Sequence, residues 1–209
     1  MVVQTYRLGE LQTNCYLVFD ELTKEAIVID PADEANFISE KILTQNINLK
    51  AVVATHGHFD HILATWELQL AFNVPLFISK KDVKIAKNMQ SSASYWLKRK
   101  IIERPPGNIK YLEKEISFGE EKLKVILCPG HTPGGVSLYS KKEKIAFTGD
   151  TLFADGIGRT DFSYSSKSDL EKSIDKLKKL PENTIIYPGH GENEILKEAI
   201  KAKELDQFI

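Results

Sequence analysis

Only two cysteines, Cys15 and Cys128, occur in 209 residues. That is too few for a disulfide framework and too few for a thiolate-rich structural zinc site. A reducing, cytoplasmic compartment is the expectation that follows. Both thiols read as small buried hydrophobes; for Cys128, three residues before His131, the alternative is a thiol close to a metal. No apolar run approaches the roughly 20 residues needed to span a bilayer, so no membrane is expected. The opening Met1-Val2-Val3-Gln4-Thr5-Tyr6 lacks the charged and apolar regions of a secretory leader. Neither sign of charge is in excess, with 28 Lys+Arg against 29 Asp+Glu and a net charge of -1. A general nucleic-acid binder carries a basic surplus, so nucleic acid is not an expected partner. No Gly/Ser/Pro-rich linker divides the chain, and an apolar share of 42% suffices for a core. Residues 1–209 therefore read as a single domain.

Histidine is scarce too, and its placement is the informative feature. The chain has five histidines. His56, His58 and His61 lie in Thr55-His56-Gly57-His58-Phe59-Asp60-His61. His131 lies in Pro129-Gly130-His131-Thr132-Pro133-Gly134, and His190 in Tyr187-Pro188-Gly189-His190-Gly191. Neutral imidazole is the commonest protein ligand for transition metals. Scattered core or surface histidines would have no reason to concentrate in glycine- and proline-flanked turns.

The hydrophobic pattern alternates between strand and helix. Residues 13–19 and 25–30 read as strands joined by a turn, and 49–55, 75–79, 123–128, 135–140, 144–148 and 184–187 as further strands. Helices are expected over 33–46, 60–72, 168–180 and 192–205. The third has Ser168 and Glu171 spaced as a capping box and Pro181 as a stop. Each ligand motif sits in the turn after an apolar strand, where a rigid scaffold can build a site from distant residues.

His56 and His58 are two residues apart and point the same way in an extended segment. Asp60 and His61 then turn into a helix and face a second centre. Asp150 ends Ala146-Phe147-Thr148-Gly149-Asp150, and its two oxygens can bridge two cations. The count suggests one metal on His56, His58 and His131, a second on Asp60, His61 and His190, and Asp150 between them. Three protein ligands and a bridge leave room for water, as in catalytic sites; structural sites are closed. Two dications, two aspartates and a bridging hydroxide leave a net positive charge, which favours an anionic small-molecule substrate. His and carboxylate ligands suit zinc first, with iron or manganese as alternatives.

This ordered set of motifs, with Gln12-Thr13-Asn14-Cys15-Tyr16 and Gly158-Arg159-Thr160-Asp161-Phe162, resembles the metallo-β-lactamase superfamily, and within it the glyoxalase II group. The resemblance spans nearly the whole chain and implies an α/β fold, the four-layer αββα sandwich. It also implies thioester hydrolysis by a hydroxide held between two metal ions. Bound metal brings the pKa of water towards neutrality and stabilises the developing oxyanion. Asp60 could in addition orient the hydroxide. A rival within the resemblance is a mononuclear iron dioxygenase acting on persulfides through His56, His58, His131 and Asp150. The intact second set, Asp60, His61 and His190, favours the hydrolase. Two departures stand out. The chain ends nineteen residues after His190, so the expectation is a short relative without the helical extension that binds glutathione in glyoxalase II. His61 is followed by Ile62-Leu63, where many relatives carry two small residues.

Four weaker signals remain open at this level. Asp30 is either an acceptor behind the metal ligands or a turn aspartate before Pro31. Arg159 either binds a substrate carboxylate or, the favoured reading, holds its own loop through Asp161. Phe153 is either a pocket wall or core. Residues 80–110 are either a helical flap over the cleft or, as favoured, a solvated basic helix with Tyr95 and Trp96 packed inward.

Overall fold

The computed structural model describes residues 1–205, with side chains described to Ala202. Six strands form one sheet in chain order: β1 (Val2–Leu8), β2 (Thr13–Phe19), β3 (Glu25–Ile29), β4 (Asn48–Val53), β5 (Leu76–Ile78) and β6 (Ile109–Tyr111). The second sheet contains β7 (Glu115–Phe118), β8 (Glu121–Leu127), β9 (Val136–Ser140), β10 (Ile145–Gly149), β11 (Ile185–Pro188) and β12 (Glu194–Ile195), also side by side in sequence order. The helices are α1 (Ala35–Thr44), α2 (Thr65–Phe72), α3 (Val83–Lys87), α4 (Met89–Leu97), α5 (Lys167–Leu177) and α6 (Leu196–Leu205).

Three apolar layers explain why the sheets stack. All seven residues of β2 are buried because both of its faces are covered. Tyr16 and Val18 point into the space between the sheets, where they meet Phe118, Leu138 and Phe147. Their neighbours Cys15, Leu17 and Phe19 point the other way, into a layer shared with Ile38, Ile42 and Leu68 of α1 and α2. On the far side of the second sheet, Ile186 packs with Leu177 of α5 and with Leu196 and Ala199 of α6. The result is the αββα sandwich. Among the described residues, no helix is long and apolar enough to cross a membrane.

Topology then sets the site. β3, β4 and β5 run parallel, as do β10 and β11, and β8 shares their direction through two antiparallel steps. Asp30, His56, His131, Asp150 and His190 follow β3, β4, β8, β10 and β11, so all five emerge at one edge. A backbone bond from Val136 N–H to the Thr55 carbonyl at 2.9 Å ties the two sheets together there.

Several expected boundaries move. The helix expected over 60–72 is broken: Phe59–His61 forms one 3₁₀ turn and α2 starts at Thr65. Ala32 causes the break. Its N–H donates to the His61 carbonyl at 3.2 Å and its carbonyl accepts from Ala64 at 2.9 Å, which draws out the buried Ile62 and Leu63. The cap of α5 is Ser166, which accepts from Asp169 N–H at 3.2 Å; the same Ser-x-x-acid spacing occurs two residues before the expected pair. The helix expected over 192–205 begins at Leu196, because Glu194–Ile195 pairs with β11. Strands β1, β6, β7 and β12 lie outside the expected set; β6, β7 and β12 are only 3, 4 and 2 residues long, too short for a periodic pattern to mark them.

Phe147 is fully buried between the sheets, with its ring centroid 5.1 Å from Tyr16 and 5.3 Å from Tyr187. Phe147→Ala should cost about 3–5 kcal/mol through lost transfer energy and the cavity left behind. Urea unfolding would read this as a lower midpoint at unchanged slope.

Candidate metal centre

The structure brings all seven sequence-predicted ligands together. Around His58 Nδ1 lie His56 Nε2 at 3.1 Å and His131 Nε2 at 2.9 Å. Around Asp60 Oδ2 lie His190 Nε2 at 3.3 Å and His61 Nε2 at 3.5 Å. Asp150 stands between the groups, with Oδ1 3.4 Å from His61 Nε2 and Oδ2 3.5 Å from His131 Nε2 and 3.9 Å from His190 Nε2.

Outward hydrogen bonds decide which nitrogen of each ring points inward. His61 Nδ1 donates to Asp30 Oδ2 at 2.9 Å. Thr55 Oγ1 donates to the same carboxylate at 2.7 Å, so it accepts from His56 Nδ1 at 3.1 Å. His131 Nδ1 donates to the Arg159 carbonyl at 2.9 Å, and His190 Nδ1 to the Leu11 carbonyl at 3.2 Å. His58 is reversed: its Nε2 meets the Tyr164 hydroxyl at 2.9 Å, leaving Nδ1 inward. A neutral imidazole has one N–H, so each ring turns a bare lone pair into the centre. Such outer partners are the usual companions of metal-bound histidine. Asp30 is thereby assigned a place behind the site, and its φ of 48° shows that it adopts a conformation few non-glycine residues accept.

A cation fits this donor set. The inward atoms His61 Nε2 and Asp150 Oδ1 are buried and have no hydrogen-bond partner. Burial and the imidazoles of His61 and His58 push the pKa of His56 well below its ordinary value. Burial and His131 bring His58 down to about 4. In the other group burial opposes charge on His61, but Asp150, Asp60 and Asp30 outweigh it and raise its pKa. Asp150 is held well below the carboxylate range by His61, His56 and His131 despite its burial. One side is thus neutral lone pairs and the other has surplus negative charge, and both would be relieved by dications. Asp30, His56 and His61 also lie close enough to chelate, but the atoms facing Asp30 are already engaged in the bonds above.

Asp82, which has no evident sequence signal, and Thr13, Asn14 and Tyr16 of β2 hold the loops. Asp82, fully buried before α3, accepts from Gly57 N–H at 2.9 Å, Thr132 Oγ1 at 2.7 Å and Gly134 N–H at 2.6 Å. It binds the His56–His58 loop to the His131 loop. Asn14 Nδ2 donates to the Pro188 and Gly191 carbonyls, both at 2.9 Å, and Tyr16 donates its hydroxyl to Pro188. Thr13 Oγ1 reaches Asp60 Oδ2 at 3.2 Å. Gly189 has no room for a side chain, because a Cβ there would stand 2.2 Å from Asp150 Oδ1 and 2.6 Å from His61 Cε1.

A cleft of about 450 Å³ opens onto the centre, lined by Leu11, Phe59, Trp96, Arg159, Phe162 and Tyr164 besides the ligands. Arg159 takes the loop role, with Nε 2.6 Å from Asp161 Oδ1 and Nη2 on the second oxygen. Phe153 does not line this cleft; it is half-buried with its ring edge towards His190, 6.4 Å between centroids. The favoured reading of residues 80–110 is corrected. Tyr95 and Trp96 do not pack inward: both are substantially exposed, and Trp96 of α4 forms part of the cleft wall. Cys128 is buried against Ser137 Oγ at 3.4 Å and belongs to none of the chelating groups. A second cavity of about 430 Å³, lined by Asp33, Glu34, Glu67 and Glu103, holds none of the predicted ligands.

An αββα sandwich with a His/Asp cluster at its strand ends defines a class of metal-dependent hydrolases. The chain belongs to the metallo-beta-lactamase superfamily, whose family profile it matches over residues 8–190. It is 35% identical over 194 residues to the hydroxyacylglutathione hydrolase GloC of Haemophilus influenzae, covering 91% of each chain. Among solved structures it is similar to the BLEG-1 B3 metallo-beta-lactamase, at TM-score 0.87 and 32% identity over 96% of this chain and 97% of that one. It is equally similar to TTHA1623 in a di-iron-bound form, at TM-score 0.87 and 30% identity over 98% and 100% of the two chains.

Asp30→Asn would set an N–H against His61 Nδ1–H, and should weaken metal affinity by about 10–100-fold in a chelator competition. Asp82→Ala strands three buried donors at about 1–3 kcal/mol each. It should lower the unfolding midpoint and loosen both histidine loops, read as faster amide exchange at Gly57 and Gly134.

Proposed function

We propose that this protein is a thioester hydrolase acting on small molecules with two divalent cations, zinc in the first instance. His56, His58 and His131 would hold one cation, Asp60, His61 and His190 the other, and Asp150 both. The observation that carries the reading is the division of seven inward-facing donor atoms into two groups that share the Asp150 carboxylate. The kinship with GloC, named as a hydroxyacylglutathione hydrolase, supports the reaction. The di-iron form of TTHA1623 supports the count of two, and leaves iron as the metal to test against zinc.

Bound there, the cation pair supplies Lewis acidity and brings the pKa of water towards neutrality. The chain's own part is positional. Asp60, fixed by Thr13 and His190, would hold a cation and orient the attacking water. The surrounding imidazoles of His61 and His190 outweigh the effect of burial and keep Asp60 ionised at neutral pH. Leu11, Phe59 and Trp96 give the cleft beside the centre an apolar lining. Hydrolysis forms the acyl C–O bond and breaks the C–S bond, giving a carboxylate and a thiol. A thiolate leaves with little protonation, which suits a cleft whose five histidines are already turned to the centre.

Metal analysis with a thioester panel tests this. About two metals per chain, thioester turnover, and loss of turnover in His58→Ala and Asp150→Ala with unchanged far-ultraviolet circular dichroism are expected. One iron per chain with oxygen consumed on a persulfide would replace the reading with a dioxygenase.

A further inference from the structure

The His58 side of the cleft is a wall of rings. Phe162 and Tyr164 stack with centroids 5.6 Å apart and planes 14° apart. Phe162 also meets the ring of His58 at 5.1 Å. Beyond Phe162 lies the guanidinium of Arg159, 4.7 Å from that ring and 5.7 Å from Trp96. A continuous surface of planar groups thus runs from a predicted metal ligand out to α4. Trp96 is 48% exposed and Tyr164 40% exposed, so much of the wall faces the open cleft. Large exposed rings grouped beside a catalytic centre mark a place where a ligand covers them.

The wall is also poor in usable positive charge. Arg159 is the one Lys or Arg among the described residues lining the cleft. Its Nε and Nη2 are engaged by the two oxygens of Asp161. Its guanidinium therefore serves as a flat layer between rings, with its charge already paired to the Asp161 carboxylate. A peptide-like thiol bearing carboxylates meets on this side only a cation already paired with Asp161. An aromatic ring finds ring faces and edges, which attract it beyond the area it buries. Negative charge at the reacting carbonyl would face the metal centre, at the opposite end of the same molecule.

We propose that Trp96, Phe162 and Tyr164 form a specificity site for an aromatic ring carried by the substrate, and that the substrate class is an aryl-bearing thioester. This rests on the thioester hydrolysis proposed above. The ring could be carried by the acyl group or by the leaving thiol, and the test separates the two.

The test uses the zinc-loaded enzyme and three thioesters: S-acetyl-N-acetylcysteamine, S-phenylacetyl-N-acetylcysteamine and S-benzyl thioacetate. One of the two aryl substrates should exceed the acetyl compound in kcat/KM by roughly tenfold, chiefly through KM, as expected for one or two ring contacts. Trp96→Ala should bring that ratio close to unity, and Trp96→Phe should restore most of it. Binding of phenylacetamide, which cannot be hydrolysed as a thioester, is followed in parallel by saturation-transfer NMR and should weaken in Trp96→Ala. Trp96-dependent binding without turnover of any thioester would uphold the ring site and sink the hydrolase reading. Turnover with aryl and acetyl substrates equal, or a preference that Trp96→Ala leaves untouched, would overturn the ring site and leave hydrolysis standing. Neither turnover nor binding would overturn both.

Discussion

A neutral imidazole carries one proton, and where that proton goes decides this site. Four rings give a hydrogen bond outward, to Asp30, Thr55 or the carbonyls of Arg159 and Leu11, and the fifth, His58, meets the Tyr164 hydroxyl. Their remaining lone pairs are forced together within about 3 Å of one another on one side of Asp150 and towards two carboxylates on the other. Without the outer bonds the rings could turn away and satisfy themselves elsewhere. With them, the inward atoms have no protein partner that removes the repulsion, and chelation is the chemistry left to them.

Holding rings in that posture requires loops that do not drift. The two stacked sheets deliver the loops to one edge, and a few buried polar groups then tie loop to loop. Asp82 joins two histidine loops through three hydrogen bonds, and Asn14 and Tyr16 clamp the turn that carries His190. Such bonds are strong in a low-dielectric interior and costly to leave half made. The same edge is therefore well ordered by electrostatics where it is least able to be ordered by hydrophobic packing. This connects the packing of Tyr16 and Phe147 to the placement of Asp150 and His190 at the ends of β10 and β11.

Membership of the superfamily does not settle the substrate. The similar proteins include one named as a hydroxyacylglutathione hydrolase and one named as a metallo-beta-lactamase. A shared centre on a shared fold hosts different reactions, and the cleft walls decide between them. In this chain the wall is made by α4 and the loop before α5. Those segments set Trp96, Phe162 and Tyr164 around a guanidinium already engaged by Asp161.

Much of the fold and most of the ligand set were legible in the chain itself. Apolar strands followed by Gly-, Pro- and His-containing turns are local signals, since strand alternation and turn chemistry operate over a few residues. So 13–19 was placed to the residue, and the seven side chains that the structure gathers were picked out by their motifs. The 3₁₀ turn at Phe59–His61 was not legible, because Ala32, far away in the chain, dictates it through two backbone bonds. Asp82 carried no local mark at all, and the exposed rings of Tyr95 and Trp96 looked like core. By itself the sequence determined which side chains offer donors to a metal and where the long apolar strands lie. The tertiary structure alone decided which nitrogen each ring turns inward, what ties the loops, and which rings line the cleft. Those choices depend on contacts between residues separated by up to nearly the whole chain, and no local pattern encodes them.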